Sequence, residues 1–192
     1  MKSILALAAL LVTTAHATAA HAEPRRHDGL YLRLGLGGGG AIGTMTGATG
    51  SASAGGAIAT ELAVGVTPRP GLVVGLGTFP MVAPSPRYDA GAAGGQHVSG
   101  TGPFVDYFPD DRGGWHLRAG LLFAAGYLDG SDTRDGATGV GVGGTVGAGY
   151  DRFVSAAWSV GALARVSAYQ LYGVDDTIRL VAPALLVTAT YH

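Results

Sequence analysis

From Leu30 onward the chain keeps a two-residue alternation in which one phase is apolar and nearly free of charge. Leu30, Leu32, Leu34 and Leu36 alternate with Tyr31, Arg33, Gly35 and Gly37, and Ile58, Leu62, Val64 and Val66 alternate with Ala59, Glu61, Ala63 and Gly65. Leu72, Val74 and Leu76 continue the pattern, followed by Trp115, Leu117, Leu121, Phe123 and Tyr127, whose opposite phase holds His116, Arg118 and Gly120. It returns in Val140, Val142, Val146 and Tyr150, in Trp158, Val160 and Val166 with Arg165 opposite, and in Val181, Leu185, Val187 and Tyr191. Successive strand residues point to opposite faces, so this period specifies β-strands with one apolar face and excludes a helical bundle. Only His97 to Phe108 is ambiguous, because Gly102 and Pro103 interrupt its register.

Residues Met1 to Ala22 form a separate element: Lys2, an apolar run Ile4 to Val12, and a small-residue end at Ala20-His21-Ala22. This is the layout of a cleavable secretory signal, and nine apolar residues rise only about 14 Å as a helix, too little for an anchor. Cleavage after Ala22 is favoured, with Ala17 as the alternative, which leaves a single domain over 23–192. No later stretch reaches the length of a membrane helix, so any membrane crossing must use strands. The chain has no Cys, which excludes a disulfide scaffold, a thiolate metal site and a cysteine nucleophile. Its net charge of −1 excludes the basic footprint of a nucleic-acid binder.

With the interrupted segment the strands number eight, joined alternately by long connections (Gly38 to Gly56, Pro80 to Gln96, Asp129 to Gly139) and tight ones (Thr67 to Gly71, Pro109 to Gly114). That alternation suits an up-and-down barrel with long outer loops and short periplasmic turns. The charged phase carries Arg33, Glu61, Arg118 and Arg165 among Gly, Ala, Ser and Thr. A water-facing exterior of that kind would be unusual, so the apolar phase is assigned to lipid and the charged phase to the lumen. Lipid demands that every backbone polar group be bonded internally, which a closed barrel achieves. Trp115 and Tyr127 lie twelve residues apart on one face; a strand of that length, about 40 Å, spans about 30 Å along the membrane normal when tilted. Trp158 and Tyr172 repeat the arrangement, and Tyr150 and Tyr191 fall at the periplasmic end, which implies two aromatic girdles. The expected fold is an all-β, eight-stranded antiparallel transmembrane barrel.

In pattern the whole mature chain resembles the small eight-stranded outer-membrane barrels, such as the OmpA transmembrane domain, OmpX and OmpW groups. The resemblance implies residence in the Gram-negative outer membrane, contact with lipid and lipopolysaccharide, no cofactor and a structural or narrow-pore role. Leu185 to His192 is similar to the carboxy-terminal signal read by the barrel assembly machinery, although its aromatic, Tyr191, stands one residue short of the end.

Four constellations remain. Gly35-x-Gly37-x-x-Gly40 matches a dinucleotide fingerprint, but the Gly/Ser/Thr run after it has no helical period to receive a pyrophosphate. His97 and Ser99 share one strand face and resemble the His and Ser of outer-membrane lipid A deacylases. No acid is placed to orient the imidazole, so a lipid-modifying hydrolase is the alternative function and polar residues at a loop–strand junction the leading reading. Asp129, Asp132 and Asp135 are spaced three apart rather than two, which reads as a solvated loop and not a calcium site. Arg33, Glu61, Arg118 and Arg165 are expected to gather in the lower lumen as an ion-pair network, with Glu61 the shared partner of all three arginines. The small residues around them predict a roomy lumen that admits water or a small apolar ligand. Arg179, in the outward phase, is expected at the membrane rim.

Overall fold

The computed structural model describes residues 25–46, 51–88, 94–128, 137–174 and 176–192, so the export signal and the Asp129, Asp132 and Asp135 cluster lie outside the described residues. The strands are β1 (Leu30–Thr46), β2 (Ser51–Arg69), β3 (Leu72–Ala83), β4 (Arg87–Tyr88), β5 (Gln96–Tyr107), β6 (Trp115–Leu128), β7 (Ala137–Phe153), β8 (Trp158–Tyr172) and β9 (Thr177–Tyr191). Eight of them pair antiparallel with their sequence neighbours, and β9 returns to β1 to close the ring. The short β4 lies outside this ring, paired with Ser53 and Ala54 of β2. Pro103 does not break β5, which pairs with β3 and β6 on its two sides.

One expected loop is mostly strand. The composition of Gly38 to Gly56 predicts a long connection, yet β1 and β2 pair without interruption from Leu30↔Val66 to Met45↔Ser51. The reason is physical: Gly, Ala, Ser and Thr give no contrast between phases, whereas a backbone ladder needs no contrast to form. The connections at that end shorten to 47–50, 84–95 and 129–136, with 173–176 as the fourth. The opposite end carries 70–71, 108–114 and 154–157 together with both described chain ends, and its shorter turns mark it as periplasmic.

The outer face follows the apolar phase. Leu34, Leu36, Leu62, Leu76, Leu117, Leu121, Phe123, Val142, Leu185 and Val187 are all exposed. A contiguous belt of this size on a soluble surface would drive association, so its solvent is lipid. Arg179 is exposed and pairs with Thr44 and Gln170, near the outer ends of their strands, which puts it at the rim.

The expectation of a roomy lumen is overturned. Phe79, Val98, Leu122, Tyr169, Leu171, Ile178 and Leu180 point inward and are buried in one apolar cluster, and the cleft beside Met81 and Tyr169 is too narrow for a water. These residues sit among small inward neighbours, so the average composition of the phase hid its few large members. Each fully buried side chain of this size is worth roughly 1.5 to 3 kcal/mol against water exposure. An eight-stranded barrel is just wide enough for side chains to fill, and here they fill it.

Candidate functional site

Below the apolar cluster the lumen holds two charged layers and a cap. The upper layer consists of Glu61, Arg118 and Arg165, all buried. Arg118 Nη1 donates to Glu61 Oε1, and Arg165 Nη1 donates to Glu61 Oε2 at 3.1 Å and to the Thr60 carbonyl at 3.3 Å. The guanidinium of Arg118 also lies 4.1 Å from the centre of the Phe104 ring, and that of Arg165 5.4 Å from Phe79. Cation–π contact of this kind compensates part of the lost hydration.

The lower layer is organised by Arg33, which is not a partner of Glu61. Its Nη2 donates to Asp151 Oδ2 at 2.5 Å, its Nη1 lies 3.0 Å from Asp106 Oδ2, and its Nε donates to Thr190 Oγ1 at 2.9 Å. Asp106 further accepts from the Tyr31 hydroxyl at 2.9 Å and from His116 Nδ1 at 2.7 Å. The reading of Glu61 as shared partner of all three arginines is thus corrected: Asp106 and Asp151 also face inward and take Arg33. Three arginines then face three carboxylates, and the lumen balances. Asp106 was hidden by the interrupted register of β5, and Asp151 by its place in a turn-like segment that belongs to β7. Parity could have found both, since Asp106 shares the phase of Phe104 and Asp151 that of Gly147 and Gly149.

The cap comes from the two ends of the described chain. Residues Arg25 to Gly29 cross the periplasmic mouth, with Arg25 N–H donating to Ala156 O, His27 N–H to Asp111 O, and His27 O accepting from Gly71 N–H at 2.8, 2.8 and 2.9 Å. This strap ties three periplasmic turns together. His27 stacks on Phe108 at 3.7 Å and meets His192 edge-on at 4.2 Å. Because His27 Nε2 lies 2.8 Å from the carbonyl of Gly113, that nitrogen carries the proton, and Nδ1 accepts from His192 Nε2 at 3.0 Å. Burial favours the neutral ring and holds His27 down to about 4 and His192 down to about 2. Neither was singled out in the sequence, where His192 was only the residue that displaced Tyr191 from the terminus. The extra residue has a use: Tyr191 stays on the outer face against Trp158 at 5.5 Å, and His192 turns inward to the cap.

The aromatic residues fall at the strand ends. Trp115 and Tyr150 are 5.3 Å apart at the periplasmic rim with Trp158 and Tyr191, while Tyr127 and Tyr172 lie at the outer ends of β6 and β8. His97 and Ser99 are both on the outward phase of β5. His97 stacks on Tyr127 at 5.9 Å, Ser99 Oγ lies 3.4 Å from Thr78 Oγ1, and no hydrogen bond joins the two among the described residues. Gly35, Gly37 and Gly40 lie in β1, with no helix after them.

Comparison with solved structures places this architecture. Neisserial surface protein A is similar with a TM-score of 0.54 at 13% identity, covering 84% of this chain and 96% of that one. Ail, the attachment invasion locus protein of Yersinia pestis, gives 0.51 at 7% identity over 82% and 98%. The chain has the fold of an eight-stranded outer-membrane barrel. No family model matches it, and no curated protein is similar to it in sequence. The likeness is therefore one of fold, and the exposed apolar belt agrees with it: the protein is a membrane-spanning barrel of the outer-membrane type.

Proposed function

We propose that the protein is a closed structural barrel that holds its outer loops at the cell surface and conducts no solute. The observation that carries this reading is the filled lumen: an apolar cluster, two charged layers that balance each other and the His27–His192 cap follow one another along the axis. A conducting pore needs a continuous wet path lined by polar groups, and each of these layers interrupts one. A catalytic role has little to rest on. His97 and Ser99 sit on the lipid side without an acid, and the Asp106–His116 pair is buried beneath the cap, away from any substrate. Outer-membrane lipid and lipopolysaccharide are the surroundings this belt fits, and β9, ending in Tyr191, is the segment offered to the assembly machinery.

The test is planar-bilayer recording of purified, refolded protein. A silent membrane at moderate voltage, with folding verified by altered gel migration before boiling, is the expected result. Steady single-channel steps from the parent protein would overturn the reading.

A further inference from the structure

The ring is not uniform where it closes. The ladder between β1 and β9 runs from Leu32↔Tyr191 to Gly39↔Ala184 and resumes at Ile42↔Val181, omitting the steps at Gly40 and Ala41. Pro183 lies opposite Gly40, has no N–H to give, and in a sheet interior removes a ladder bond. On the other strand stands the run Gly37 to Gly40. A Cβ at Gly37 or Gly39 would come within 1.9 or 2.0 Å of the carbonyl oxygens of Leu185 or Pro183, so the inward positions must be Gly for the strands to approach as they do. The outward positions are not constrained in this way. A Cβ at Gly38 would meet nothing nearer than 3.8 Å, so the absence of a side chain there opens space on the lipid face rather than relieving a clash.

Two clefts meet at this seam. One lies on the lipid face, about 580 Å³, walled by Gly38, Val146, Ala164, Val166 and Leu185. The other lies on the luminal side, beside Met81 and Tyr169. Gly39, Gly40, Arg165, Pro183 and Ala184 line both, so the wall is a single layer of small residues at this point.

Arg165 stands behind the seam with unused capacity. It is 4% exposed, and its Nε has no hydrogen-bond partner among the described residues, while Nη1 shares Glu61 with Arg118. Its layer holds two arginines against one carboxylate; the compensating acid lies one layer below, on Arg33. A buried cation with an orphan donor is costly in a poorly screened interior and calls for an anion. The groove that reaches it is apolar and opens to the bilayer, not to water.

We propose that the β1/β9 seam is a lateral binding site for a single-chain carboxylate amphiphile, which lays its acyl chain in the groove beside Gly38 and presents its carboxylate to Arg165. The site goes beyond the closed-barrel reading, since it is reached from the bilayer and leaves the lumen blocked to solutes. A carboxylate is favoured over a neutral head because it gives the orphan Nε a charge-assisted acceptor, in a layer that holds two arginines against one carboxylate.

The experiment uses the full barrel in phosphatidylcholine nanodiscs with stearic acid carrying a nitroxide on its chain, beside the methyl ester bearing the same label. Electron paramagnetic resonance reads the immobilised fraction of each as a function of label concentration. The parent should bind the acid about tenfold more tightly than the ester, a difference of about 1.4 kcal/mol. Arg165→Gln should bring the acid down to the level of the ester, and Gly38→Leu, which fills the groove from outside, should reduce the immobilised fraction of both. Equal binding of acid and ester by the parent, as for lipid that merely surrounds the barrel, would overturn the site. So would an unchanged acid signal in Gly38→Leu, and that variant decides the matter even if Arg165→Gln does not fold.

Discussion

Arg33 sits between two carboxylates with its side chain fully buried, and its removal is the sharpest test of how the lumen is organised. In Arg33→Gln the shape is kept and the charge is lost, leaving Asp106 and Asp151 in the same buried layer with only His116 to set against them. Breaking one side of a buried ion pair costs roughly 3 to 5 kcal/mol, because the partner is left without compensation. Here two partners are left, so the loss should sit at the upper end, near 5 kcal/mol, and should exceed that of Glu61→Gln, in which the two arginines keep their contacts with the Phe79 and Phe104 rings. The sign of the pH response is a second check. A proton on either carboxyl replaces the lost cation, so Arg33→Gln should regain stability as the pH falls, where the parent does not. Urea titration of refolded protein in lipid vesicles, followed by tryptophan emission between pH 8 and pH 5, gives both quantities. A loss below about 1 kcal/mol, or a loss that does not shrink on acidification, would refute the two-layer arrangement.

The lipid face can be tested on adjacent residues of β6: Leu121 is 73% exposed and Leu122 is 3% exposed, so Leu121→Arg should cost about 2 to 4 kcal/mol as a charge in hydrocarbon. Leu121→Ala should be mild, while Leu122→Ala should cost about 2 to 5 kcal/mol as a cavity in the lumen; urea midpoints that reverse the two alanine variants would invert inside and outside. Val174, 99% exposed in the β8–β9 connection, and Val154, 61% exposed in the β7–β8 turn, lie at opposite ends. A Cys at Val174 should react with an impermeant maleimide on intact cells, and one at Val154 only after the outer membrane is breached. His27 is held neutral down to about 4 against 6.5 for a free imidazole, so the unfolded chain takes up its proton first and stability should fall between pH 6.5 and pH 4. At pH 5 the loss is about 2 kcal/mol for this group alone, and His27→Phe, which can still stack on Phe108, should make the urea midpoint fall less steeply across that range, leaving the part contributed by His192.

What was legible in the sequence, and what was not, follows from which signals a barrel writes into its residues. A strand between lipid and lumen must alternate, and Leu34, Leu62, Leu117 and Val187 state the outward phase without ambiguity. The four charges Arg33, Glu61, Arg118 and Arg165 could be assigned inward for the same reason, since none is tolerable in the belt. Their partners were not legible, because partnership depends on the stagger between strands and alternation fixes only the face. Arg33 and Asp151 are 118 residues apart and meet through the ring closure of β1 on β9, β8 and β7. Where contrast vanished the reading failed outright: the Gly/Ala/Ser/Thr run of 38–56 looks like a loop to any argument based on side chains, though β1 and β2 pair through it as far as Met45↔Ser51.

The same absence of contrast explains why the closure seam could not be seen from the sequence. Gly37 to Gly40 reads as a permissive stretch, and Pro183 as one apolar residue in the outward phase of β9. Their meaning arises only when the ring closes and sets Pro183 beside Gly40, where a missing N–H faces a missing side chain. A strand defect elsewhere in the ring would be tolerated by the two ladders around it, but the defect here faces Arg165, whose Nε is unpaired. If stability alone had shaped this point, a residue with an N–H at 183 would serve better, because Pro removes a ladder bond there. Pro183→Val should then raise the urea midpoint by restoring a ladder bond, and in the nanodisc experiment it should weaken the acid-specific signal by tightening the seam. A variant that gains stability and keeps the full acid preference would show that the Pro183 gap is incidental to the site, and that Arg165 is reached by another path.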